Sequence, residues 1–230
     1  MTSGRVVGPA PNQAAGEAAG PAPVVPGSIG IFGGTFDPIH LAHLAVAEAA
    51  RDALGLERVL FIPAGEPPHK PGRAISDGEH RLAMVQLAIA GNPSFAASRI
   101  ELERAGPSYT VDTLEALAAT NADLTLVLSA EAFVDLPSWH EPRRVLGLAR
   151  FVVAPRDGFP DAGPTFLEEH FPGVAAGIVF LDGPRMRLSA SELRARAAGG
   201  RSLRYLVPDA VAAYIGDHGL YRSTRRDDRT

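Results

Sequence analysis

Two histidines, His40 and His43, stand just after a glycine-rich turn near the start of the chain. They belong to the stretch GGTFDPIHLAH, residues 33–43, which directly follows the apolar run SIGIF. A spacing of i, i+3 places two side chains on one face of a helix. Gly33 and Gly34 let backbone N–H groups approach an anion closely, and a helix start adds N–H groups and a positive dipole end. These residue types predict an anion site that suits phosphate.

A metal site is the main alternative for two neighbouring histidines. Zinc-binding helices use i, i+4 spacing more often, and no third ligand stands out nearby. The chain contains no cysteine, which excludes thiolate metal sites and disulfides. The spacing therefore favours a phosphate cradle, while surface histidines and half of a metal site stay open as alternatives.

A second candidate phosphate site is the stretch LSASELR, residues 188–194. Ser189 is a candidate N-cap, and Glu192 follows three residues later, which is the spacing of a capping box. The hydroxyl of Ser191 can donate to a phosphate oxygen, and Arg194 offers a fork of donors one turn into the helix. Taken alone, the pattern is equally that of a capped surface helix.

Short apolar runs alternate with helical stretches along most of the chain. Strands are predicted at 28–32, 58–63, 95–103, 124–129, 150–155 and 177–181, and helices at 41–55, 77–92, 109–120, 189–200 and 208–220. This order predicts an α/β fold with a doubly wound, mostly parallel, Rossmann-like sheet and a small C-terminal helical segment. Ligands of such sheets bind beyond the carboxyl ends of the strands, where the first histidine stretch lies. The loops after Pro63 and at 155–172 are rich in Pro and Gly and are expected to project from the sheet.

Composition limits the classes of partner. The 230 residues are 46% hydrophobic and 21% charged, with a net charge of −4, so neither nucleic acid nor a membrane is expected as a partner. Residues 1–27, rich in Pro, Ala and Gly, are interpreted as a disordered extension without signal-peptide character. Residues 28–222 are interpreted as one domain, and 223–230 as a charged tail. A cytoplasmic protein is expected, and self-association into a homo-oligomer stays open.

The histidine stretch resembles the His/Thr-x-Gly-His signature of the nucleotidyltransferases related to class I aminoacyl-tRNA synthetases. LSASELR resembles that family's Ile-Ser-x-Thr/Ser-x-Ile/Leu-Arg motif. Within the family, the chain is similar to the bacterial nicotinate-nucleotide adenylyltransferases. That similarity rests on PAGEPPHK, EHRLAMVQLAI, SYTVDTL, LPSWHEP and RYLVPDAVAAYIGDHGLY, and it extends over residues 30–221.

The resemblance implies transfer of an adenylyl group from ATP, with Mg²⁺, to nicotinate mononucleotide. It implies that His40, His43 and Arg194 are catalytic. It implies that ATP and its phosphates are bound by Gly33, Gly34, Thr35, Phe36, Ser189 and Ser191. It implies that nicotinate mononucleotide is bound by Lys70, Thr110, Trp139 and His140, with the tryptophan stacked on the pyridine ring and Thr110 near its carboxylate. No dedicated set of metal-binding side chains is implied.

The chain departs from the family pattern at two motifs, and in addition His140 replaces an aromatic residue that is common in the family. Ala42 stands where the family has a glycine between its histidines, and Ser129 to Glu131 stand where it has Gly-x-Asp. These departures motivate a second hypothesis, a degenerate nucleotide-binding homologue without turnover. An adenylyltransferase that acts on nicotinamide mononucleotide or another phosphate-bearing acceptor is a third, and a histidine-metal hydrolase ranks last.

Overall fold

A parallel six-stranded sheet organises the residues that the structure describes, in the order β3-β2-β1-β4-β5-β6. The structure is a computed structural model and describes residues 24–68, 75–120, 123–156, 158, 164–174 and 177–222. Its strands are β1 (Val25–Gly34), β2 (Leu56–Pro63), β3 (Phe95–Ala97), β4 (Asp123–Ser129), β5 (Arg150–Ala154) and β6 (Ile178–Phe180). Strand order reverses between β1 and β4, so the two carboxyl ends frame a switch point. The predicted doubly wound sheet is confirmed.

Side chains of the central strands alternate between the two faces of this sheet. On β1, Phe32 lies in one buried cluster, the Phe32 cluster, and Ile31 lies in another, the Ile31 cluster. On β4, Val127 joins the Phe32 cluster and Leu126 joins the Ile31 cluster. Both faces are therefore buried, which explains why the central strands are continuous apolar runs.

Helices cover both faces of the sheet. They are α1 (Leu41–Leu54), α2 (Gly78–Ile89), α3 (Thr110–Ala118), α4 (Ala130–Val134), α5 (Pro142–Leu148), α6 (Pro164–His170), α7 (Ala190–Ala198) and α8 (Asp209–Asp217), with a 3₁₀ turn at Leu136–Ser138. Side chains of α1, α2, α7 and α8 enter the Phe32 cluster, whereas those of α3, α4, α5 and α6 enter the Ile31 cluster. As predicted, α1 ends at Gly55, whose φ of 61° is left-handed.

Three sequence-based expectations need correction. The strand expected at 95–103 ends at Ala97, because the chain turns where the N–H groups of Leu102 and Glu103 bond the carbonyl of Arg99. Strand β1 begins at Val25 rather than at residue 28. The region 155–172 does not simply project from the sheet, since α6 buries Leu167 in the Ile31 cluster.

Helices α4, α5 and α6 escape prediction because each has only five to seven residues. So short a segment shows less than two turns of apolar periodicity. Among the described residues, every helix is too short or too polar to cross a bilayer.

Candidate active site

Three adjoining pockets open where β1, β4 and β5 end. We name them after one residue each. The Met186 pocket includes Phe32, Gly33, His40, Ala42, His43, Ser129, Arg156 and Met186. The Trp139 pocket includes Gly33, Gly34, Thr35, Glu101, Ser108, Tyr109, Thr110, Trp139 and His140. The Arg194 pocket includes Thr35, Phe36, Asp37, His40, His43, Glu131, Arg156, Ser189, Ser191 and Arg194. Shared residues join the three: Gly33 lines the first two, Thr35 the last two, and both histidines the first and third.

The two histidines stack face to face at the start of α1. Their ring centroids lie 3.7 Å apart with an interplanar angle of 17°. His40 is the N-cap residue, and its backbone N–H donates to Nδ1 of His43 at 3.2 Å. Since Nδ1 accepts this bond, the ring proton of a neutral His43 sits on Nε2. The two side chains therefore lie on one face, as the i, i+3 spacing predicts, and form a stacked imidazole pair.

His40 is held in its neutral form. Its side chain is buried, and Nδ1 has no hydrogen-bond partner among the described residues. Burial, together with the positive charge of Arg156, lowers the pKa of His40 from 6.5 to about 4. A neutral imidazole can donate one hydrogen bond to an anion without carrying a charge into the buried wall of the pocket.

The two predicted phosphate stretches meet in the Arg194 pocket. Arg194 donates from Nη1 to the backbone carbonyl of Asp37 at 2.7 Å and from Nη2 to Oγ of Ser191 at 3.1 Å. Ser189 caps α7, as predicted, by accepting from the N–H of Glu192 at 3.2 Å. This arrangement places a guanidinium, two hydroxyls and a helix start across one pocket from the imidazole pair.

The buried carboxylate of Asp37 fixes this corner. Its Oδ1 accepts from the hydroxyl of Tyr221 at 2.6 Å, and its Oδ2 accepts from the N–H of Ser76 at 3.3 Å. Burial raises the pKa of Tyr221, and the bond to Asp37 raises it further, so the phenol stays protonated and donates. The carboxylate of Asp37 thus joins the segment at Ser76 and the residue Tyr221 to the turn that precedes α1.

The glycine turn differs from residue to residue. A Cβ on Gly33 would meet nothing within 4 Å and would occupy the space shared by two pockets. A Cβ on Gly34 would lie 3.0 Å from the ring of Phe36, so a side chain at this position would crowd that ring. Phe36 has a φ of 49° and a ring buried edge-on against His43. Phe36 can therefore offer its backbone to a phosphate while its side chain packs in the core.

The Trp139 pocket combines an aromatic wall with a helix start. Trp139 is half-buried against the Ile31 cluster, and the ring of His140 stacks on that of Tyr109 at 4.3 Å. Tyr109 is the N-cap residue of α3, and its side chain makes no capping bond, so the first turn at Thr110 faces the pocket uncapped. An aromatic slot beside backbone N–H groups suits a flat ring that bears a carboxylate.

A buried carboxyl group, which sequence reasoning did not single out, also lines this pocket. Glu101 accepts from Oγ1 of Thr113 at 2.7 Å, and burial raises its pKa. The sequence placed Glu101 inside a strand, where such a role was hidden.

Arg156 is the second residue that the sequence did not reveal. It lies two residues after the end of β5, lines the Met186 and Arg194 pockets, and pairs with Glu131 at 3.1 Å. Its position just past a strand end was a usable topological signal. The two departures from the family pattern also fall here, because Ala42 and Ser129 both line the Met186 pocket.

One predicted contributor and one alternative remain. Lys70, which is predicted to bind the mononucleotide, lies outside the described residues, so that role stays a prediction. Among the residues that the structure describes, no three His, Asp or Glu side chains gather as metal ligands. The stacked pair of histidines faces an arginine instead of a third ligand.

Comparison with known proteins agrees with the geometry. Residues 31–196 match the family model described as cytidylyltransferase-like. A protein of Roseiflexus sp. strain RS-1, named a probable nicotinate-nucleotide adenylyltransferase, is 53% identical over 195 residues, which is 84% of this chain and 98% of the relative. A protein of the same name from Thermomicrobium roseum is 47% identical over 197 residues, covering 85% of this chain and 92% of the relative.

A solved structure shares the fold. It is the nicotinic acid mononucleotide adenylyltransferase of Plasmodium falciparum complexed with NaAD, with a TM-score of 0.69 and 19% identity, over 84% of this chain and 97% of that chain. The family model spans most of the chain, and the bacterial relatives match it over nearly their whole length. The chain therefore belongs to the nicotinate-nucleotide adenylyltransferase family, within the cytidylyltransferase-like nucleotidyltransferases.

Proposed function

We propose that this chain transfers the adenylyl group of ATP to nicotinate mononucleotide, forming deamido-NAD and pyrophosphate. The observation that carries the proposal is the meeting of His40, His43 and Arg194 around one anion pocket that adjoins two further pockets. The names of the bacterial relatives support the same reaction.

The pockets divide the substrates by chemistry. The Met186 pocket has apolar walls between β1 and β5 and takes the adenine ring. The Arg194 pocket takes the triphosphate, because it presents guanidinium, imidazole and hydroxyl donors. The Trp139 pocket takes the mononucleotide, with its pyridine ring against Trp139 and its carboxylate at the start of α3 near Thr110. Gly33, which lines two of the pockets, marks the place where the reacting phosphates meet.

The reaction requires orientation and charge stabilisation. A phosphate oxygen of the mononucleotide attacks the α-phosphorus of ATP, the bond to the β-phosphate oxygen breaks, and pyrophosphate leaves. The attacking phosphate is already an anion near neutral pH, so no general base is needed. The imidazole pair donates to the α-phosphate, while Arg194 and Ser191 hold the leaving pyrophosphate as its charge builds.

Magnesium fits this pocket as a companion of ATP. Both carboxylate oxygens of Asp37 already accept hydrogen bonds, from Tyr221 and Ser76. The carboxylate of Glu131, in contrast, is partly exposed to the pocket. A single accessible carboxylate suits an ion held mainly by phosphate oxygens and water. Bound Mg²⁺ would neutralise part of the triphosphate charge.

A pyrophosphate-release assay with ATP and Mg²⁺ tests the proposal, with the acid and amide mononucleotides compared side by side. We expect a higher kcat/KM for the acid, because backbone N–H groups at a helix start favour a carboxylate over a neutral amide. His43→Ala should cut turnover at least ~100-fold, as expected for the loss of a donor to the developing charge. His218→Ala, at the exposed C-cap residue of α8 outside the three pocket linings, serves as the control.

The same assay distinguishes the competing hypothesis, a nucleotide-binding homologue without turnover. ATP binding without pyrophosphate release from either mononucleotide would identify a nucleotide-binding module. Near-normal turnover of His43→Ala would remove this histidine from the mechanism.

A further inference from the structure

A buried arginine on α2 bonds two loops of the active site at three backbone carbonyls. Arg81 is only 2% exposed. Its Nε donates to the carbonyl of Ser76 at 2.9 Å, and its Nη1 donates to the carbonyl of Thr35 at 3.0 Å. Its Nη2 lies 3.5 Å from the carbonyl of Gly65, at the limit of hydrogen bonding. One guanidinium thus bonds backbone atoms that are far apart in sequence.

Each of these loops serves a different part of the site. Thr35 lines both the Trp139 and the Arg194 pocket. The N–H of Ser76 donates to the carboxylate of Asp37, whose own carbonyl accepts from Arg194. Arg81 is therefore linked to the Arg194 pocket in two ways, directly through Thr35 and indirectly through Ser76 and Asp37.

The contact with Gly65 leads to the mononucleotide side. The N–H of Gly65 donates to Oγ of Ser108 at 2.8 Å, and Ser108 precedes the residues that open α3. Gly65 also packs directly on the carbonyl of Glu101, where a Cβ would collide. The position of Gly65 thus bears on the wall of the Trp139 pocket.

The guanidinium shape is what this position requires. Its donors spread in one plane and reach three acceptors in different directions, whereas the ammonium of lysine is a compact charge. Asp37, Asp77 and Glu101 favour the charged form through space, against the desolvation that lowers the pKa of Arg81. Burying an isolated cation is costly, and the hydrogen bonds to the loop carbonyls offset that cost here.

We propose that Arg81 is a positioning residue for adenylyl transfer, which sets the spacing between the phosphate turn at Thr35 and the mononucleotide wall at Gly65 and Ser108. The inference rests on the proposed function. Arg81 lines none of the three pockets, so its contribution lies in alignment of the attacking phosphate with the α-phosphorus. A small misalignment of reacting groups lowers the rate of the chemical step more than it lowers binding.

Arg81→Lys tests the proposal by steady-state kinetics. We expect kcat to fall at least ~10-fold while the KM for each substrate changes less than ~3-fold, as for lost orientation rather than lost contact. Val85→Ala is the matched control, because Val85 is fully buried one turn later on the same helix and packs only in the Phe32 cluster. Thermal unfolding of both variants shows whether they lose similar stability. If Val85→Ala, at equal or greater destabilisation, lowers kcat as much as Arg81→Lys, Arg81 is merely structural.

Chemical rescue gives a second readout. Methylguanidinium, at concentrations far below those that unfold proteins, should restore part of the kcat of Arg81→Ala and none of that of Val85→Ala. If Arg81→Ala does not fold, the comparison of Arg81→Lys with Val85→Ala decides alone. Unchanged kcat in Arg81→Lys overturns the inference. Absence of turnover in the unaltered protein instead overturns the proposed function, so the two failures are distinguishable.

Discussion

At the scale of single residues, the site depends on the protonation states of two histidines, which burial and a backbone hydrogen bond determine. The buried ring of His40 is kept neutral, and the amide of His40 fixes which nitrogen of His43 accepts. Two charged imidazoles at a centroid distance of 3.7 Å would repel strongly, so at least one ring is neutral in the absence of an anion, and burial selects His40. The pair is thus poised to donate once phosphate arrives.

This neutrality makes folding stability depend on pH. The pKa of His40 is about 4 in the folded chain against 6.5 for the ordinary side chain, so between these values the unfolded chain binds the extra proton. The stabilisation is complete above the upper value and is lost as pH falls towards the lower one, by up to about 3 kcal/mol. Urea unfolding without nucleotide should therefore show a smaller loss between neutral and acidic pH in His40→Asn than in the unaltered chain. His170→Asn, an exposed histidine on α6, should leave the pH dependence as it is.

The methyl group of Ala42 faces the Met186 pocket, where we place adenine. Removing it in Ala42→Gly should lower the KM for ATP and leave that for the mononucleotide unchanged. Ala45→Gly is the control, since it carries a comparable helix cost of roughly 1 kcal/mol at most on the same helix outside the pocket lining. An equal or higher KM for ATP in Ala42→Gly would refute the steric argument.

At the scale of elements, strand ends and helix starts supply most of the chemistry. The N-termini of α1, α3 and α7 all open onto the pockets, where the positive ends of the helix dipoles favour anions. The short α4 and the 3₁₀ turn carry the chain from the end of β4 to Trp139. These brief elements fix a loop that would otherwise leave the aromatic wall mobile.

Trp139→Ala tests the role of this loop. We expect the KM for the mononucleotide to rise at least ~10-fold and that for ATP to change much less, because an aromatic platform is worth on the order of 1 kcal/mol or more. Phe166→Ala removes an aromatic ring that packs on the Ile31 cluster without lining the pocket. Equal effects on both KM values, or the same pattern in Phe166→Ala, would make Trp139 a packing residue.

At the scale of the whole molecule, a residue near the end of the described chain is hydrogen-bonded to one near its beginning. The hydroxyl of Tyr221 bonds the carboxylate of Asp37 across 184 residues of chain. Asp37 in turn accepts Arg194 through its carbonyl and Ser76 through its carboxylate. The C-terminal helices therefore support the phosphate corner as well as the Phe32 cluster.

Loss of that hydrogen bond should be measurable. Tyr221→Phe leaves a buried carboxylate oxygen without its donor, which should cost about 1–3 kcal/mol of unfolding free energy. Urea unfolding followed by far-UV circular dichroism measures the change. Tyr205→Phe, at a tyrosine that is 78% exposed, should be nearly neutral. Equal stability of the two variants would show that the Asp37 contact contributes nothing.

The sequence alone determined the sheet, its main helices and the two phosphate stretches. Runs such as RVLFIP and LTLVLS predict buried parallel strands, because both faces of such strands are apolar. The caps at Ser189 and Gly55 were readable because capping is local. The resemblance, which rests on local motifs, pointed to the same family that the comparisons show.

Only the tertiary structure decided the contacts that join distant residues. Packing of the chain gives distant partners to Arg81, Asp37, Arg156 and Tyr221. No local sequence pattern distinguishes a buried arginine such as Arg81 from an exposed one. The stacking of His40 on His43 and the low pKa that burial imposes likewise depend on the surrounding core. Spacing along a chain fixes which side chains share a face, whereas desolvation and long-range hydrogen bonds exist only after the faces have met.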